Sequence, residues 1–214
     1  GYALTMREAR LVIAEGKVRV DGRVVRDYKF PVGLMDVVFL EGPDEYYRVL
    51  PHPSKFFILH PISEEESHIK PLRIKRKTSV KGGKTQLTFH DGRNLQLDDA
   101  GGYSTYDTLV LDLYEKNIIS HIKMREGALA YVIDGVNVGF LGRIESIARI
   151  FKRSKSIVTL KGEDESITRT ILEYVFAIGE DKPVISLPSE EEARGWTARF
   201  AAPRVLGFIV GEDF

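Results

Sequence analysis

The chain has 214 residues, 43% of them hydrophobic, with 31 basic and 31 acidic side chains and no cysteine. That length allows about one to three small domains with real cores, and the missing cysteine excludes disulfides, thiolate nucleophiles and every Cys-based zinc or iron–sulfur site. No apolar run approaches the ~20 residues that span a bilayer, and no cationic start leads into an apolar segment with a small-residue cleavage site, so nothing points to a membrane or to export.

In chain order, Thr5 and Glu8 have capping-box spacing, and Met6, Ala9, Leu11, Val12 and Ile13 suit one short helix ending near Gly16. The next stretch, GKVRVDGRVVRDYKFPVGLMDVVFL, holds Asp21-Gly22, the signature of a two-residue type I′ hairpin turn. That turn sets Val20 opposite Arg23, Arg19 opposite Val24, Val18 opposite Val25 and Lys17 opposite Arg26. Side chains alternate across a strand, so Val18, Val20 and Val25 share the face that can pack on the helix. Lys17, Arg19 and Arg26 point a cationic plane the other way. Beyond Gly42 the helical period nearly vanishes. Short β-rich runs recur between turn signals: EYYRVL, KFFILHPI, PLRIKRKTSV, KTQLTFH, TLVLDLY, NIISHIKM, ALAYVI, SIVTL and EYVFAIG. This spacing predicts barrels or meanders and not βαβ units. The segments at 52–55, 81–84 and 90–94 read as hairpin loops, and Ser63 with Glu66 can cap one helical turn. After Pro188 an acidic start, Glu190 to Glu192, leads to an apolar end, Val205 to Val210.

A net charge of zero argues against a nucleic-acid binder, yet the distribution argues for one. Between Ser67 and His90 there is no acid, while Lys70, Arg73, Lys75, Arg76, Lys77, Lys81 and Lys84 supply seven cations. A second group, Arg149, Lys152, Arg153 and Lys155, follows the segment ALAYVIDGVNVGFLGRIESI, in which Gly135, Gly139 and Gly142 punctuate an apolar strand pair ending at Arg143. This segment resembles the KOW motif, a glycine-bearing hairpin of a small five-stranded barrel. The helix with its basic hairpin resembles the second half of an S4-type RNA-binding domain. Taken together and in this order, VDGRVVRDYKFPVGLMDVV, the KOW-like segment and VFAIGEDKPVISLP are similar to the archaeal and eukaryotic small-subunit ribosomal protein family S4e.

The resemblance runs from about Tyr2 to Pro188. It implies a mainly β protein with a small α+β N-terminal part: a truncated S4-type RNA-binding domain over 1–42, a central β domain over 43–120, a KOW-type small β-barrel over 121–186 and a C-terminal tail over 187–214. Because the chain opens on Gly1 and not Met, a basic arm and a first helix are expected upstream. The implied partners are small-subunit ribosomal RNA and neighbouring ribosomal proteins, with no membrane, no small-molecule substrate and no cofactor, in the cytoplasm on the ribosome. Expected RNA contacts are Arg7, Arg10, Lys17, Arg19, Arg23, Arg26 and Lys29 in the first part. Lys70, Arg73, Lys75, Arg76, Lys77, Lys81 and Lys84 follow in the second, and Arg143, Arg149, Lys152, Arg153 and Lys155 in the third. Gly135, Gly139 and Gly142 are expected to shape the barrel. Tyr28 is a weaker candidate for stacking on a base.

S4-type domains also occur on RNA-modifying enzymes, so catalysis must be weighed. His52, His60, His68, His90 and His121 lie far apart with no HxxxH or HExxH, there is no G-x-S-x-G, and the carboxylate run Glu64 to Glu66 reads as a solvated face. No catalytic or metal-binding residues are expected. The alternative is an S4- and KOW-type RNA-binding or protein-interaction module acting outside the ribosome, as part of an RNA-modifying or transcription/translation factor.

Overall fold

The computed structural model describes residues 3–53 and 55–188; the acidic and apolar stretches after Pro188 lie outside them. The capping box forms as the sequence predicts. The Thr5 hydroxyl accepts from the Glu8 N–H and the Glu8 carboxylate accepts from the Thr5 N–H, starting α1 (Met6–Ala14). Gly16 then ends the helix with a φ of 82°. No residue of α1 is buried. It is tethered by the Arg26 guanidinium, which donates to the Ala14 carbonyl at 3.2 Å.

The hairpin β1 (Val18–Val20) and β2 (Arg23–Val25) has the expected register, Val20 to Arg23, Arg19 to Val24 and Val18 to Val25. Asp21 and Gly22 take φ values of 49° and 75°, the left-handed pair that a type I′ turn requires. Val20 and Val25 are buried, with Arg23 on their face; Arg19 stays exposed.

Thirteen further strands follow among the described residues: β3 (Val37–Leu40), β4 (Glu45–His52), β5 (Phe56–Ile62), β6 (Ile69–Ser79), β7 (Thr85–Phe89), β8 (Asn94–Leu97), β9 (Thr108–Asp112), β10 (Ile118–Ile122), β11 (Leu129–Val132), β12 (Leu141–Ala148), β13 (Ile157–Lys161), β14 (Ile167–Ile171) and β15 (Val175–Gly179). All nine β-rich runs named from the sequence are strands. One helical turn, α2 (Glu64–Ser67), is capped by Ser63 as its spacing predicts. The strands β8 (four residues) and β14 (five residues, apolar only at its ends) are too short to stand out from their turns.

The strands form three five-stranded antiparallel sheets, ordered β2-β1-β3-β4-β5, β10-β9-β6-β7-β8 and β14-β13-β12-β11-β15. The first sheet does not stop near residue 42, because β4 pairs with β3 from Val37–Arg48 to Leu40–Glu45 and carries β5 with it. The third is a half-barrel whose edge strands β14 and β15 are joined by the 3₁₀ turn Leu172–Tyr174.

Two interactions join the first sheet to the second. First, the second residue of β6 is Lys70, only 1% exposed, whose ammonium donates at 2.6 Å to Asp21 in the hairpin turn, at 2.6 Å to Asp36 before β3 and at 3.1 Å to Asp91 after β7. Arg93 completes the cluster against Asp21 and Asp91. Burial alone would lower the Lys70 pKa, but Asp21 and Asp36 hold it above its ordinary value; the Asp91 carboxyl, which burial would raise, is held below its own by Lys70 and the Arg93 N–H. Second, Arg48 is buried in β4 and donates to the Glu66 side chain at 3.1 Å and to the Glu66 and Ile69 carbonyls at 3.0 and 3.1 Å. Glu66 is therefore a partly buried structural partner and not part of a solvated face.

His90 sits where all three sheets meet. Its Nδ1 accepts from the Arg73 N–H at 3.2 Å, its Nε2 lies 3.1 Å from the Leu34 carbonyl, and its ring meets Phe176 of β15 edge-on at 5.3 Å. Only the neutral ring, protonated on Nε2, satisfies both bonds, and burial pushes its pKa down to about 4. Cores are shared across the sheets: Met35 and Leu50 pack with Tyr131, Phe176 and Ile178, and Val110 and Ile122 pack with Val132 and Val158.

Replacing Lys70 by Met should cost about 3–5 kcal/mol, because three carboxylates then face one remaining cation. The same change at exposed Lys75 should cost under about 0.5 kcal/mol in urea denaturation; equal costs would refute the keystone role. His90 adds a pH dependence. Its folded pKa lies below the ordinary 6.5, so the unfolded chain binds the proton more readily and stability should fall as pH drops from about 6.5 to about 4. Thermal melts of the parent and of His90→Gln across that window should show a flatter curve for the variant.

Candidate nucleic-acid interface

Strand alternation and tight turns distribute the cations among three patches. In the first, α1 and the hairpin present Arg7, Arg10, Arg19, Arg23, Arg26 and Lys29, all exposed and none in an ion pair among the described residues. Aromatic faces order several of them. The Arg10 guanidinium lies 4.1 Å from the Tyr28 ring centroid with Lys29 on the same ring at 5.7 Å, Arg19 lies over Phe39 at 5.4 Å and Arg23 over Phe30 at 5.8 Å. Tyr28 is therefore occupied by Arg10. Lys17 is taken by Glu15 at 2.6 Å, both half exposed, which neutralises it.

The second patch is smaller than the sequence implies. Lys70 is sequestered by its three carboxylates and has no donor to offer. Burial lowers the pKa of Arg73, and its guanidinium donates to the Glu173 and Val175 carbonyls, both at 2.9 Å, so it ties the central sheet to the half-barrel. Lys77 donates to the Ala100 carbonyl at 2.6 Å and to Tyr103 at 3.1 Å, and Lys84 meets Asp98 at 3.3 Å. Lys75, Arg76 and Lys81 remain exposed without ion pairs among the described residues. The cause is strand pairing: β9 accompanies β6 only as far as Arg73, so the distal half of β6 carries its side chains into solvent with β7 alone beside it.

The third patch lies on the half-barrel. Gly139, with φ 91°, lets the chain re-enter β12, and a side chain at Gly142 would meet the Lys161 carbonyl oxygen at 2.7 Å, so one glycine serves conformation and the other close approach. Gly135 turns with φ 86° against Tyr174. Arg143 is half exposed, yet its guanidinium donates to the carbonyls of Gly127 at 3.2 Å, Glu180 at 2.8 Å and Asp181 at 3.2 Å, a clamp on the turn after β15. Arg149, Lys152, Arg153 and Lys155 do converge on the β12–β13 loop. Lys155 pairs with Glu173 at 3.4 Å and Arg153 lies over Tyr106 at 5.7 Å, with Arg73 on the same ring at 5.8 Å. Tyr106 and Glu173 thus link the second and third patches, and neither residue could be singled out from sequence, because a lone Tyr and a lone Glu carry no pattern. Phe151, fully exposed in the middle of this loop, interrupts the run of cations, and a single Phe likewise carries no pattern in sequence.

This is an S4-domain protein of β architecture. Residues 1–38 match the S4 domain and residues 43–118 match the ribosomal family S4e. Among similar proteins, the small ribosomal subunit protein eS4 of Aeropyrum pernix is 49% identical over 197 residues, spanning 88% of this chain and 77% of that protein. The eS4 of Pyrobaculum islandicum is 50% identical over 188 residues, spanning 87% and 79%. The crystal structure of the 30S ribosomal protein S4e from Thermoplasma acidophilum superposes with a TM-score of 0.71 at 33% identity, covering 82% of this chain and 86% of that one. The chain belongs to ribosomal protein family S4e.

The clamping and the free cations of the half-barrel separate experimentally. Arg143→Ala should lower stability by about 1–2 kcal/mol in urea melts, since three carbonyls lose a charged donor. Lys152→Ala should change it by under about 0.5 kcal/mol. Equal stability of the two variants would remove the clamp.

Proposed function

We propose that this chain is a structural component of the small ribosomal subunit that holds ribosomal RNA and performs no catalysis of its own. The observation that carries this reading is the split among its cations. Those inside the protein are neutralised by carboxylates or spent on carbonyls, whereas Arg7, Arg10, Arg19, Arg23, Lys29, Lys75, Arg76, Lys81, Arg149 and Lys152 remain exposed and without ion pairs among the described residues. Unneutralised cations spread over three patches suit a long phosphate backbone, whose contacts set position and affinity without reading much sequence. The eS4 names of its relatives place those proteins in the small subunit, and neighbouring subunit proteins are the expected further partners. The units proposed from sequence, an S4-type part, a central β part and a KOW-type half-barrel, each contribute one patch.

Binding to small-subunit rRNA should weaken steeply with salt, by roughly 0.7–0.9 in log–log slope for each phosphate neutralised. Filter binding between roughly 50 and 200 mM salt measures the slope. Removing one exposed cation such as Arg19 or Lys152 should reduce it by about 1. A flat response, or no complex at the lowest salt, would sink the reading.

A further inference from the structure

The loop between β12 and β13 holds a side chain that the cation reading leaves unused. Phe151 has a relative exposure of 109%, beside Ile150 at 49%, while Phe89 and Phe176 are buried to 1% and 0%. We propose that Phe151 is a base-stacking residue, and that the β12–β13 loop holds an unpaired nucleobase of ribosomal RNA against its ring while Arg149 and Lys152 neutralise the adjoining phosphates. This inference rests on the RNA reading above and adds a contact of a different chemistry to it.

Two observations converge. First, the loop is pinned at its base and free at its tip. The Ile150 N–H donates to the buried Ser156 hydroxyl at 3.3 Å, the Lys155 N–H donates to the Lys152 carbonyl at 2.8 Å and the Ser156 N–H donates to the Arg153 carbonyl at 3.0 Å. Arg153 over Tyr106 and Lys155 against Glu173 fix its flanks. A ring presented from a braced turn loses little freedom on binding, which favours a ligand contact. Second, the surroundings are cationic. Residues 149–155 read RIFKRSK, four cations and no acid in seven residues, so a protein cleft receiving this ring would need a strongly acidic rim, whereas RNA brings phosphates and flat ring faces together. Phe56, 85% exposed, has only Lys55 near it in the chain and lacks that setting. RNA supplies a partner for such a ring in its unpaired bases. A-form helices hide their bases in a deep narrow groove, and proteins reach them where loops and bulges splay them out onto aromatic faces.

The test uses the 214-residue chain with in vitro transcribed small-subunit rRNA of Aeropyrum pernix. Phe151→Ala should weaken binding by roughly 5- to 150-fold with the salt slope unchanged, because stacking releases no counterions. Lys152→Ala should instead reduce the slope. The double variant Phe151→Trp, Trp196→Phe carries a single Trp in the loop; it should bind as the parent does, and its fluorescence should be quenched when RNA is added. If the parent shows salt-dependent binding while Phe151→Ala binds equally well, the ring meets a protein neighbour or solvent; the stacking inference is then overturned and the RNA reading stands. If the double variant binds without quenching, no base lies on the ring and the inference is again overturned. If the parent itself fails to bind rRNA at low salt, the RNA reading falls, and the stacking site with it.

Discussion

One buried ammonium organises this molecule. Lys70 lies near the start of the strand shared by the two halves of the central sheet, and its three carboxylate partners come from the hairpin turn, from the approach to β3 and from the turn after β7. Desolvating one lysine is costly, so the cluster persists only because every partner is fixed by its own backbone. Asp21 is held in the left-handed region by the turn and its second oxygen accepts from the Val37 N–H at 2.9 Å; Asp36 caps the loop by accepting from Gly33 at 2.7 Å. The same Asp-Gly pair therefore makes the hairpin and fastens it to the next sheet. That joint and the Arg48 bonds to Glu66 and Ile69 together set the first cationic patch against the second.

The fastening explains how a chain of zero net charge can present basic surfaces. Three carboxylates, Asp21, Asp36 and Asp91, are drawn onto two cations, Lys70 and Arg93, while Glu66 serves Arg48 and Asp107 serves His121 at 2.8 Å. The Lys70 cluster thus takes one more acid than base out of the outer field. The sum over the sequence stays balanced while the patches do not, because a surface potential depends on where charges lie and not on how many there are.

The same logic divides residues of one type into two trades. Arg48, Arg73 and Arg143 use the planar fork of the guanidinium to hold carbonyls of segments distant in the chain, for which five fixed donors suit arginine better than lysine. Arg10, Arg19 and Arg153 lie on aromatic rings with donors still free for other acceptors. Neutralisation and bracing thus occur on the same strands, and a substitution intended to probe one can disturb the other.

The sequence by itself determined the local structure. The capping box, the Asp-Gly register, the nine β-rich runs and the glycine-bearing segment 128–147 all rest on interactions within a few residues, so their residue types carry the information. The motif order also determined the family. Only the tertiary structure decided which cations are available and which strands share a sheet. Lys70 and Lys75 stand on one strand and look alike in sequence, but β9 pairs beside the first and stops before the second, leaving one buried and the other in solvent. Likewise Arg143 turns from a surface cation into a clamp, because its carbonyl partners at Glu180 and Asp181 lie 37 and 38 positions away and no local pattern encodes that meeting. Phe151 lies between the two cases: its chemistry was visible among the cations around it, but its full exposure belongs to the folded loop.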